Sequence, residues 1–68
     1  MAIKVNFPPQ GFYLRDAYSS ESGARQFRQN FINYNKRYTG ISGEDVVIYH
    51  NLRKEGTMQG AWEVWVRS

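Results

Sequence analysis

One stretch of this chain spaces its apolar residues for a helix: from Ala24 they recur at Phe27, Phe31, Tyr34 and Tyr38, at intervals of three, four, three and four. Ser19, Ser20 and Ser22 stand before it as N-cap types, and Glu21 would lie near the positive end of the helix dipole. Gly40 and Gly43 follow as stop signals, with Lys36 and Arg37 in the last turns, where cations complement the dipole. A lone amphipathic helix has no second helix to pack against. Its apolar stripe must be buried on a sheet.

The rest of the chain supplies that sheet. Ala2 to Phe7 alternates Ile3, Val5 and Phe7 with Ala2, Lys4 and Asn6, the period of a half-buried strand. Pro8, Pro9, Gln10 and Gly11 end it in a turn, because proline removes a ladder donor and restricts the residue before it. Phe12 to Ala17 reads as a second short strand or an extended approach to the helix. Beyond the helix, Val46 to Leu52 is rich in β-formers, Arg53 to Gly60 is polar with Gly56 and Gly60, and Ala61 to Arg67 alternates again. The last two runs read as an antiparallel hairpin. Residues 1–68 are therefore expected to form a single compact α+β domain. It has a three- or four-stranded, mainly antiparallel sheet carrying one helix on one face, in the order strand, optional second strand, helix, strand, strand.

With 68 residues and no cysteine, the chain lies near the lower size limit for a fold held by its core alone, without disulfide or thiolate-metal reinforcement. Aromatic residues make up 16% of it and are expected to supply much of that core. The longest apolar run is Val46 to Tyr49, far short of the roughly 18 to 20 residues of a membrane span. Met1 to Asn6 lacks the charged and apolar regions of a secretory signal, so cytoplasmic residence is the expectation.

The formal net charge of +3 is a property of the helix. Ser22 to Gly43 carries Arg25, Arg28, Lys36 and Arg37 with no acid, whereas the segment before it is neutral and the segment after it is acidic by one charge. Helical spacing puts Arg25, Arg28, Ile32 and Lys36 on one flank, beside the Phe and Tyr stripe, with Ile32 off that stripe. Such a flank suits nucleic acid: Arg and Lys neutralise phosphates while Gln29 or Asn33 approaches base edges. The plainer reading is a solvated flank whose last two cations serve the dipole.

A second candidate surface comes from the sheet. If Ile3, Val5, Phe7, Val46, Ile48, Leu52, Trp62, Val64 and Val66 meet Phe27, Phe31 and Tyr34, then Val47, Tyr49 and Trp65 face away, rimmed by Lys4, Glu63 and Arg67. Val47, Tyr49 and Trp65, with Ile32 of the helix, are then candidate partner-binding residues. A heterologous protein or a second copy of the chain is the ordinary partner for such a face, and stacking of unpaired bases the rarer one.

Nothing points to catalysis, a metal or a cofactor. His50 is the only histidine and has neither cysteines nor a patterned acidic pair for company. Glu44 and Asp45 adjoin, and neighbours on an extended chain point to opposite faces. The serines are accounted for by capping, and the Gly40 to Gly43 segment has no following lysine to make a phosphate loop. No ribonucleoprotein motif, zinc-finger pattern or helix-turn-helix signature is readable. The expectation is a small non-catalytic nucleic-acid-binding accessory protein. The alternative is a protein-interaction module or inhibitor docking through its sheet face, and either would suit a phage or mobile element.

Overall fold

Ser20 caps the helix, its Oγ accepting from Gly23 N at 3.2 Å, and the helix ends at Gly40, whose φ of 70° is the left-handed cap that glycine tolerates best. The structure is a computed structural model that describes residues 4–6 and 8–68. Its elements are β1 (Lys4–Val5), β2 (Phe12–Tyr18), α1 (Glu21–Thr39), β3 (Val46–His50) and β4 (Trp62–Arg67), with short 3-10 turns at Gly43–Asp45 and Leu52–Lys54. The strands form one mixed sheet in the order β1-β3-β4-β2, and α1 packs on one face of it, an α+β fold. The β3–β4 hairpin is central; β2 joins β4 antiparallel and β1 joins β3 parallel.

The register assigns the faces. Val46 pairs with Val66, Ile48 with Val64 and His50 with Trp62, which puts these six on the helix side. Ala24, Val46, Ile48, Val64 and Val66 form the buried core, and Tyr18, Phe27, Phe31, Ile32, Ile41 and Trp62 pack around it. The centre is thus small and mostly β-branched. Of the aromatics expected to fill the core, Tyr18, Phe27, Phe31 and Trp62 wrap its perimeter instead.

Three phase expectations need correction. The covered stripe of α1 is Ala24, Phe27, Arg28, Phe31, Ile32 and Asn35, not the line running through Tyr34 and Tyr38. Tyr34 and Tyr38 lie within about 20° of Phe27 around the helix but are 71% and 73% exposed, so the covered line ends along the helix axis before its C-terminal turns. In β1, Val5 pairs with Tyr49 and so lies on the far face, whereas Lys4 turns to the helix side, its Nζ 3.2 Å from Glu21 and 5.8 Å from the centre of the Trp62 ring. Ile3 and Phe7 lie outside the described residues. Leu52, expected at the end of a longer β3, is exposed in a 3-10 turn because Asn51 Oδ1 accepts from Arg53 N and bends the chain out of the sheet.

Candidate functional site

The helix cations divide into three situations. Arg25 Nε donates to Glu21 at 2.8 Å, one turn earlier, and Lys4 contacts the same carboxylate. Arg25 and then Lys4 hold the Glu21 carboxyl below its ordinary range. Arg28 was expected on the exposed flank, and this is corrected: it is 8% exposed, with Nε donating to Val46 O at 2.8 Å and Nη2 to Gly43 O at 2.6 Å. Burial lowers its pKa, with nearby Arg25 adding to the effect. Its role is internal, because the guanidinium is buried and two of its five N–H groups are already given to backbone carbonyls.

Lys36 and Arg37 are exposed, and among the described residues neither has a carboxylate within ion-pair distance. Beside Arg37 stand Tyr34 and Tyr38, 71% and 73% exposed, with ring centres 5.8 Å apart and planes tilted by 48°, whereas Lys36 lies about 160° around the helix from both. Asn30, Asn33 and Arg37 line a shallow concavity with these two rings. Gln29 Nε2 donates to Asn33 Oδ1 at 3.1 Å, tying two exposed amides along the same side of the helix. The outward face of the C-terminal half of α1 is therefore cationic, aromatic and amide-bearing. It has no acid.

Reading the stripe as one core line missed this site. A signal was nevertheless present: the line runs Phe27, Phe31 and then Tyr34, Tyr38. The change from phenyl to phenol marks where it leaves the core, since a hydroxyl-bearing ring tolerates water.

The far face of the sheet is more closed than its sequence pattern implied. Val47 is 7% exposed and Ile32 packs against the core, so the expectation that either is open to a partner is corrected. Tyr49 and Trp65 are half-buried and line a groove with Leu14, an exposed residue of the edge strand β2. At its floor Glu63, 2% exposed, accepts from Lys54 Nζ at 2.6 Å, Trp65 Nε1 at 3.0 Å and Asn51 Nδ2 at 3.3 Å. Burial pushes this carboxyl up, but the three donors outweigh it and leave the group below its ordinary range. Glu63 was expected on an open rim. Instead it fastens the loop after β3 to the sheet, and Trp65 takes part in that anchor.

Arg67, the other expected rim cation, donates from Nε to Asp45 Oδ1 at 2.8 Å and lies 4.8 Å from the centre of the Phe12 ring. His50 stacks on Trp62 with ring centres 3.8 Å apart, and its Nε2 is 2.7 Å from Glu55 Oε2. Among the described residues, no group of three or more His, Asp or Glu side chains is placed to hold a metal ion, and no helix is long and apolar enough to cross a membrane. No family model, curated protein or solved structure matches this chain.

Proposed function

We propose that this protein is a non-catalytic nucleic-acid-binding protein and that its contact surface is the outward face of the C-terminal half of α1. The observation that carries the reading is the acid-free surface on which Arg37, without a carboxylate partner among the described residues, adjoins the exposed pair Tyr34 and Tyr38, with Lys36 exposed and likewise unpaired on the neighbouring flank of the same helix end. Unpaired cations neutralise phosphates at no loss of an internal ion pair, and the amides of Asn30 and Asn33 supply donors and acceptors nearby. The sheet face is the weaker candidate: Val47 is buried, and Trp65 and Glu63 are engaged with each other and with the loop.

Replacing Lys36 and Arg37 together by Ala should lower affinity for nucleic acid and reduce the slope of log K against log salt by about 1.4 to 1.8, the value for two lost phosphate contacts. Fluorescence anisotropy across a salt series reads this directly. A slope equal to that of the wild type would take both residues out of the interface and turn attention to the sheet face and a protein partner.

A further inference from the structure

Two large side chains of α1 are exposed where burial would be favourable. An isolated exposed tyrosine is ordinary, but Tyr34 and Tyr38 touch one another, one helical turn apart, and both are more than two-thirds exposed. Their surroundings are cationic and amide-bearing, without an acid or an aliphatic rim. A protein interface of this kind would draw on apolar neighbours to exclude water, and the exposed positions that share the concavity with the pair, Asn30, Asn33 and Arg37, supply none.

We infer that the ligand is single-stranded nucleic acid whose bases stack on Tyr34 and Tyr38, an inference that rests on the nucleic-acid reading above. Phosphate contact alone requires no aromatic side chain, and in a duplex the faces of the bases are already covered by their neighbours. An unpaired strand offers both a π-face for each ring and a phosphate for each cation. The geometry also limits the mode of stacking. A base inserted between two rings needs them parallel and about 6.8 Å apart, twice the stacking repeat of about 3.4 Å. At 5.8 Å and tilted by 48° they leave no such slot, so bases lie against the outward ring faces. Arg37 lines the same concavity as the two tyrosines and is the cation offered to the phosphate that joins those bases.

The test compares single strands of about 16 nucleotides, in DNA and RNA form, with the matching DNA duplex. Each is titrated against the wild type, Tyr34→Leu with Tyr38→Leu, and Tyr34→Phe with Tyr38→Phe, with circular dichroism melts confirming that every variant folds. The expected result is tighter binding of a single strand than of the duplex, a loss of about 10-fold or more in the Leu variant, and near wild-type binding in the Phe variant, which keeps the ring. The salt slope of the Leu variant should match the wild type, because no cation has been removed. Preference for one single strand over the other identifies the sugar and supports the inference in either case. Duplex binding as tight as single-strand binding, or a Leu variant that binds as the wild type does, overturns the inference and leaves the Lys36 and Arg37 reading standing. Absence of binding to every probe overturns both.

Discussion

The Arg28 guanidinium joins α1 to the segment leading into β3 by donating to the carbonyls of Gly43 and Val46. Hydrogen bonds from a charged group contribute about 1.5 to 3 kcal/mol each, and a buried carbonyl left without its donor adds a desolvation penalty. Arg28→Met keeps most of the stem and removes the donors, so it should destabilise the fold by about 3 kcal/mol. Urea denaturation would show this as a lower midpoint with the same m value. The nucleic-acid salt slope of the variant should be that of the wild type, which separates this structural cation from Lys36 and Arg37. A stability change below about 1 kcal/mol would mean that the two carbonyls do not depend on Arg28. The sequence places this residue among four cations of one helix; only the position of β3 shows that its partners are carbonyls.

At the scale of elements, the loop between β3 and β4 is held at both ends. Lys54 and Asn51 reach Glu63, and Gly60 passes directly beneath the end of β2. Gly60 has a φ of 90°, and a Cβ there would meet the carbonyl carbon of Tyr18 at 2.5 Å. Gly56 also has a positive φ, 77°, but faces open space. Gly60→Ala should therefore lower the melting temperature clearly more than Gly56→Ala, since only the former adds a backbone clash to the conformational penalty of at least about 1 kcal/mol. Equal shifts would show that the contact with Tyr18 relaxes freely. Element types were legible from sequence because capping and periodicity are local: the serine cap, the glycine stop and the hairpin alternation all act within a few residues. Element phase was legible only in part. Val46, Ile48, Val64 and Val66 lie on the expected face, while β1 is reversed, because two residues of a strand leave alternation little to bias and its parallel pairing with β3 fixes the face.

For the molecule as a whole, three carboxylates hold separate pieces together. Glu21 links α1 to Lys4 of β1, Asp45 links the turn before β3 to Arg67 of β4, and Glu63 holds the β3–β4 loop. The backbone N–H of Ser42, then Arg67, keeps Asp45 below its ordinary range, and Glu21 and Glu63 are lowered as described above. With folded values below unfolded ones, the folded state binds fewer protons. Their contribution is fully present above the unfolded range of about 4 and is lost as pH falls through the folded values. Denaturation midpoints should therefore be steady near neutrality and drop below about pH 4. Glu63→Gln should weaken the fold at neutral pH and flatten part of that acid slope; an unaltered slope would remove Glu63 from the set.

The sequence by itself determined the helix, the strand before it and the hairpin after it, the confinement of excess charge to one helix, and a core assembled without cysteine, while it left β2 open between a strand and an extended approach. Each depends on composition or on spacing within a single element. Tertiary structure decided which side of the helix is covered, which separates Arg28 from Lys36 and Arg37, and how far along its axis the cover extends, which separates Phe27 from Tyr34 and Tyr38. The physical reason is rotation: one residue along a helix turns a side chain by about 100°, and one along a strand reverses it, so packing between elements chooses what meets water.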